Sequence, residues 1–397
     1  MKILIVFLFF YQVILAQKSE AAANIGLVDS VQVEGTKDES FMVYFPKKYT
    51  QSKSVGVVFI FDPGGNGVDG IMPFVSAAEN YNFLLVCSNN SKNGPLNLNN
   101  EIAFRLFDFV FKKYNIDKKR LVVAGFSGGA RLAGNLALNT GIFNGVVACG
   151  ASFQLLDIFV PQINDFLYVG LIGKNDMNYQ EMIKNVNWLD KKRIKNQIFI
   201  SDKGHVWPDE SEILRAFDWL EIEFQKKGFT EKNNEIVNRI YQKNKIIADA
   251  FFEENNLLLA LHEYERLDAE FGSINSKDDF TEKINEIKKS KDFSKMKKVM
   301  NEVEIFEENL IKECEIKFYQ DLNNLKVKND LKFWINLNKE LNEKENKINQ
   351  DIQILQMTNR ISSALEVMIS VAAQDFKNNG QQQKYDFCRS LLKILKD

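Results

Sequence analysis

The sequence predicts an α/β fold, a doubly wound and mostly parallel sheet, followed by an all-α C-terminal domain. Three observations carry this. Between Val28 and Phe224, short apolar runs rich in Val, Ile and Phe alternate with helical patterns. Within that region "LVVAGFSGGARLAG", from Leu121 to Gly134, passes from a strand into a helix through a serine set among glycines. After Gly228, glycine and proline almost vanish while Lys, Glu, Asn, Ile and Leu dominate, and no strand pattern returns.

A chain of 397 residues can bury a large core and divides here into residues 24–228, the sheet domain, and 229–397, the helical domain. The net charge of -2 and pI of about 6.0 give no basic surplus, so neither nucleic acid nor an anionic membrane is an expected partner. The first residues hold Lys2, an apolar run from Ile3 to Leu15 and the small Ala16. That run is short for a membrane span and fits a leader covering residues 1–16, cut before Gln17, so the expected location is periplasmic or secreted. The 4 cysteines are widely scattered, which fits buried free thiols rather than a disulfide framework or a zinc site.

The strands expected in order are "VDSVQVEG", "SFMVYFP", "VGVVFIFD", "FLLVCS", "RLVVAG", "NGVVACG", "FLYVGLIG" and "NQIFIS". The first two follow one another without a helix and predict an antiparallel hairpin; the rest have the rhythm of right-handed βαβ units. Helices are expected at "IMPFVSAAENY", "NEIAFRLFDFVFKKY", "ARLAGNLALN", "QEMIKNVNWLDKK" and "ILRAFDWLEIEF". In the second domain, Ile236, Val237, Ile240, Tyr241, Ile247, Ala248 and Phe251 line one helical face. Leu258, Leu261, Tyr264 and Leu267 line the next helix, beyond a turn at "EENN". The pair has the look of a tetratricopeptide-type hairpin without a strict repeat after it. A long charged helix around "SKMKKVMNEVEIFEENLIKECEIKF" and a helical pair around "NNG" complete the chain. Such helices bury their own apolar faces as a bundle, or offer a surface to a protein partner.

The glycine-flanked serine is Ser127, in the pattern Gly-x-Ser-x-Gly. A hydroxyl needs a base to become a nucleophile, and the base needs an orienting group. Only 2 histidines exist. His262 sits mid-helix in the charged region, whereas His205 follows the last expected strand, where an open α/β sheet builds its site. The carboxylate expected between Ser127 and His205 in sequence is Asp176, after the strand "FLYVGLIG"; Asp202 is too near His205 in the chain and Asn175 reads as a turn residue. An oxyanion needs N–H donors, and the amide of Gly128 is one. The second is expected from "PGGNG" after the third strand: Pro63 has no N–H, so Gly64 is the choice with Gly65 in reserve. Phe126, Trp207 and Pro208 either wall an acyl or aromatic pocket or pack beneath the loops. Arg131 either meets an acidic substrate or forms an ion pair.

The order Ser, Asp, His, each after its own strand, is that of the α/β-hydrolase superfamily, which residues 28–228 resemble. Within it, "GFSGGARLA", "GKNDMNY" and "GHVWP" are similar to the secreted esterases of the polyhydroxybutyrate-depolymerase and feruloyl-esterase kind. The resemblance implies hydrolysis of a small-molecule or polymer-linked carboxylic ester through an acyl-serine intermediate, without metal or organic cofactor. Such esterases have His-Gly at the oxyanion strand end, where this chain has Asp62-Pro63. Two other functions remain open: a peptidase or amidase of the same fold, or a weak or inactive hydrolase-like domain that binds a partner with its helices. Because the motifs all precede Gly228, a chain ending near Lys227 is expected to fold and act on small esters.

Overall fold

The structure, a computed structural model, describes residues 24–153, 165–272, 280–325, 331–345 and 351–396; the leader expected at residues 1–16 lies outside them. One sheet holds β1 (Val28–Gln32), β2 (Ser40–Tyr44), β3 (Val55–Phe61), β4 (Phe83–Ser88), β5 (Ile116–Phe126), β6 (Gly145–Cys149), β7 (Leu167–Gly173) and β8 (Asn196–Ser201). Their order is β1-β2-β4-β3-β5-β6-β7-β8. β1 and β2 form the expected hairpin, β2 runs antiparallel to β4, and every other pairing is parallel. The sheet is therefore mostly parallel, as the sequence predicts. β5 is longer than "RLVVAG" suggests, because Ile116 pairs with Val55 before a register shift brings Leu121 beside Val57.

The helices of this part are α1 (Gly67–Ile71), α2 (Val75–Tyr81), α3 (Leu96–Lys113), α4 (Gly128–Thr140), α5 (Tyr179–Lys191) and α6 (Glu210–Lys227). Alternation along β3 shows how they cover the sheet. Val57, Phe59 and Phe61 join Phe107 and Val110 of α3 and Ala133 and Leu136 of α4 in one apolar layer. Val58 and Ile60 point the other way, into Ala77 and Ala78 of α2 and Phe217 and Leu220 of α6. A strand covered on both faces must read as an unbroken apolar run, and β3 does. Each fully buried Phe or Leu there contributes about 2 kcal/mol of transfer free energy before its entropy cost.

The remaining helices are α7 (Asn234–Glu253), α8 (Leu257–Phe271), α9 (Thr281–Lys289), α10 (Lys291–Asn323), α11 (Lys332–Glu345), α12 (Ile352–Asn378) and α13 (Gln382–Ile394). α9 and α11 are additional to the helices expected from sequence. The hairpin at "EENN" is present, with Asn255 at φ 56° in its turn, and the 33 residues of α10 interrupt any repeat of it. Phe318, Trp334, Ile361 and Leu365 center one apolar cluster, made by α10, α11, α12 and α13. Ile222 of α6 belongs to the other, with Ile240 and Tyr241 of α7 and Ala260 and Tyr264 of α8. No helix among the described residues is long and apolar enough to cross a membrane.

α6 is thus covered on two sides. Its Arg215 side chain bonds Asn244 Oδ1 at 3.0 Å and Glu263, which also accepts from Arg266 Nη2 at 2.7 Å. Burial alone would raise the Glu263 carboxyl; the charges of Arg266 and Arg215 outweigh it and hold the group below its ordinary value. A lowered folded value gives stability that is present above the unfolded carboxylate value of about 4.3 and is lost as pH falls through the folded one. The independence of residues 24–228 expected from sequence has this network against it. Glu263→Ala leaves two buried guanidinium groups short of a partner and is expected to cost about 3–5 kcal/mol in denaturant unfolding. A chain ending near Lys227 loses the same carboxylate and uncovers Ile222. It is expected to unfold at lower denaturant than the full chain, or to be insoluble.

Candidate active site

β5 ends at Phe126 and α4 begins at Gly128, so Ser127 alone makes the turn. Its φ of 51° and ψ of -119° lie outside the regions an L-residue prefers. The bend is possible because Cβ atoms are missing beside it. A Cβ on Gly129 would fall 1.9 Å from Phe61 O, and one on Gly125 2.3 Å from the Gly129 carbonyl. Ser127 N–H donates to Cys149 O at 2.8 Å, and Ser127 O accepts from Arg131 N at 3.1 Å. The hydroxyl stands at the C-terminal edge of the sheet.

His205 reaches it from the loop after β8: its Nε2 is 2.9 Å from Ser127 Oγ. On the other side of the ring, Nδ1 is 2.9 Å from both Oδ1 and Oδ2 of Asp176. A carboxylate only accepts, so Nδ1 carries the hydrogen and the Nε2 lone pair faces the serine hydroxyl. Asp176 is 1% exposed, in the loop after β7, and Oδ1 accepts Asn178 N–H at 2.8 Å. Asn178 Nδ2 in turn donates to Gly150 O at 2.7 Å. The acid and base loops lie against each other. Asn175 N–H donates to Lys203 O at 3.0 Å, and Asn175 Nδ2 to Asp202 O at 2.8 Å. Asn175 therefore does more than turn the chain. Asp202, exposed, meets Lys174 Nζ at 3.1 Å. The structure thus brings together Ser127, Asp176 and His205. His262 lies apart on α8, its Nδ1 4.0 Å from Glu263.

The Gly128 amide is in the first turn of α4, where no intrahelical acceptor exists. Asn93 Oδ1 lies 1.8 Å from where a Gly128 Cβ would be, so a side chain at 128 would displace the Asn93 amide. Gly64, the expected second donor, is engaged elsewhere in this structure. Its N–H is committed to Asp62 Oδ1 at 2.8 Å, with Asn66 N–H on the same oxygen at 3.0 Å. The reserve, Gly65, donates to Asp62 O at 3.2 Å. Aspartate favours such a turn because its side chain can accept from amides two or more residues on.

The aromatic residues are engaged with one another. Phe126 is buried, its ring centroid 4.7 Å from that of His205 and 5.2 Å from that of Trp207. Packing under the base, rather than lining a pocket, is its place. Trp207 Nε1 donates to Asp62 Oδ2 at 3.0 Å, which ties the base loop to the oxyanion loop. Arg131 pairs with Glu181 at 2.6 and 2.7 Å, the ion-pair alternative. A cavity of about 40 Å³ touches Asp176, Glu212 and Arg215 but not Ser127, so it lies behind the acid. Asp62, Asn93 and Asn178 are the site residues sequence reasoning missed. The sequence of Asp62-Pro63-Gly64-Gly65 held the signal for the first; nothing local signals the other two.

No family model matches the sequence, and no curated protein does. Among solved structures the chain is similar to an S-formylglutathione hydrolase from Staphylococcus aureus, at 15% identity over 46% of this chain and 90% of that one, TM-score 0.37. It is similar to a Pyrobaculum calidifontis esterase at 14% identity, covering 52% of this chain and 87% of that chain, TM-score 0.41. A ferulic acid esterase is similar at 14% identity over 48% and 95%, TM-score 0.38.

Asp62 gathers three N–H donors, from Gly64, Asn66 and Trp207. Asp62→Ala leaves all three without an acceptor and is expected to cost about 3 kcal/mol in denaturant unfolding. Asp62→Asn keeps an oxygen for the two amides but turns an NH2 group toward the indole N–H. A loss near half that of Asp62→Ala is expected, and an unchanged midpoint would contradict the tie to Trp207.

Proposed function

We propose that the chain is a serine hydrolase that cleaves a carboxylic ester through an acyl-serine intermediate. The observation that carries this reading is the continuous hydrogen-bonded relay, Ser127 Oγ to His205 Nε2 and His205 Nδ1 to Asp176, ending on a serine held in a strained turn. In this mechanism His205 Nε2 takes the hydroxyl proton as Ser127 Oγ bonds to the ester carbonyl carbon. The carbonyl electron pair moves to oxygen, and the Gly128 N–H stabilises that oxyanion. Collapse expels the alkoxide, which takes the proton from His205 and leaves as alcohol. Water then gives a proton to His205 and attacks the acyl carbon. The second collapse returns the proton to Ser127 and releases the acid. Asp176 keeps the Nδ1–H tautomer throughout and balances the imidazolium charge. The chemistry fits small-molecule and polymer-linked esters alike, and acts outside the cytoplasm if residues 1–16 are a leader.

One observation favours the weaker alternative, a hydrolase-like domain with little activity. Gly64 N–H is held by Asp62, so a second oxyanion donor is available only when that bond opens. An amide or peptide substrate would use the same steps with an amine leaving group.

The decisive experiment is labelling of the purified chain with a fluorophosphonate, with mapping of the modified residue. Label is expected on Ser127 and absent from Ser127→Ala, which also loses hydrolysis of short p-nitrophenyl esters. Label on another serine, or none on folded protein, would end this reading. His205→Ala is expected to lower kcat by about 10⁴ or more with folding intact, whereas His262→Ala stays near wild type.

A further inference from the structure

The loop that carries Asp176 is gripped from a second direction. Arg360 of α12 is 3% exposed, and its Nη1 donates to Lys174 O at 2.7 Å, two residues before Asp176. Its neighbour Asn359 donates from Nδ2 to Asn175 Oδ1 at 3.0 Å. The Arg360 guanidinium lies 5.1 Å from the ring centroid of Tyr179, beyond the acid. It is fixed there by Glu307 of α10, itself 1% exposed, which accepts Arg360 Nε at 2.8 Å and Nη2 at 2.5 Å. Glu307 Oε2 also accepts Gln180 Nε2 at 3.2 Å. Residues 174, 175, 179 and 180 are therefore all held by helices α10 and α12, and they bracket Asp176 on both sides.

We infer that Arg360, locked by Glu307, is a positioning residue for the acid loop, so that the helical domain is a working part of the site and not an appendage. The inference rests on the serine-hydrolase reading for its kinetic effect. The physical argument is one of geometry. A two-pronged arginine–carboxylate bond fixes the plane of the guanidinium, which leaves Nη1 aimed at one place. That place is a backbone carbonyl of the loop whose carboxylate must hold the His205 ring. Catalytic groups must be held to within about 0.5 Å, and a displacement of about 1 Å costs on the order of 10²-fold. If α10 had only to dock on α5, surface pairs would serve. Lys184 of α5 already makes them, with Glu308 at 2.8 Å and Glu304 at 3.9 Å, without touching the acid loop.

The test uses the full chain and compares Arg360→Met, Arg360→Lys and the double change Arg360→Met with Glu307→Met. The double variant guards against misfolding, because replacing a buried ion pair by apolar residues of similar size is often neutral for stability. On a short p-nitrophenyl ester, Arg360→Met and the double variant are expected to lose about tenfold to 10²-fold in kcat with KM within about twofold. Arg360→Lys keeps the cation beside Glu307 but loses the fork, and should fall between. Lys184→Ala should match wild type. Hydrogen exchange is the second readout: the amides of residues 174–179 should exchange faster in both Arg360→Met backgrounds. A folded double variant with wild-type kcat and wild-type exchange in that loop would overturn the proposal. If the wild-type chain takes no fluorophosphonate, the hydrolase reading fails, and exchange at residues 174–179 alone decides whether Arg360 holds the loop.

Discussion

Helix α4 sits so close to strand β3 that one added carbon on Gly129 would meet the Phe61 carbonyl oxygen at 1.9 Å. The nucleophile's turn depends on that contact. It fixes how soon the helix must start after β5, and so forces Ser127 to turn the chain at φ 51°. Holding a non-glycine residue there costs on the order of 1–3 kcal/mol, which the shared buried cluster of β3, α3 and α4 can sustain. With the hydroxyl fixed, the acid and base loops have one point to meet. Gly173 lets them do so: a Cβ there would lie 2.1 Å from Lys203 O, at the place where the two loops exchange hydrogen bonds.

The parts of this arrangement that sequence reading recovers are those whose cause is local. "VGVVFIFD" is a two-sided strand because every residue in it is apolar, and the elbow is legible because Gly125, Ser127 and Gly129 stand together. Asp176 and His205 follow from rank order along the strands, since each open loop at that edge of the sheet offers few candidates. For the expected second oxyanion donor, sequence supplies the glycines but not what their N–H groups already bond. The Asp62 side chain decides that. Residues such as Asn359, 184 positions from its partner Asn175, leave no trace in periodicity at all. α11 had a trace, Trp334, Leu337 and Leu341 at helical spacing, diluted by the surrounding Asn, Lys and Glu.

Charge does at the domain junction what apolar burial does in the sheet. Arg215 of α6 with Glu263 of α8, and Arg360 of α12 with Glu307 of α10, are buried ion pairs that link separate helices. Pairs of this kind add little net stability, because desolvation offsets much of the attraction. They do penalise every misplaced docking, which would leave a charge buried alone. Exposed pairs such as Lys184 with Glu308 carry no such penalty and are worth about 0–1 kcal/mol. The amphipathic helices therefore bury their own faces, as their pattern implies, yet their seating on α6 and on the acid loop is specified by a few ionic groups.

Asp62 bears on how much catalysis such a site can support. In the proposed reaction, a carboxylate beside the oxyanion position has two effects. It repels negative charge developing nearby, and it holds N–H groups that would otherwise receive that charge. The first effect is softened because the two amides and the Trp207 indole spread and screen the Asp62 charge. The second is the larger one. Opening the bond from Gly64 costs about 1.5–3 kcal/mol, the worth of a hydrogen bond to a charged group. By the tenfold per 1.36 kcal/mol relation this is a factor of about 10 to 10² in rate. Losing the donor altogether costs about 10² to 10³. Either figure is small beside the 10⁴ or more that a triad member supplies. For the proposed mechanism, the Ser127–His205–Asp176 relay and the Asp62 turn together imply slowed rather than abolished catalysis. In that mechanism, opening the Asp62–Gly64 bond would recover part of the difference.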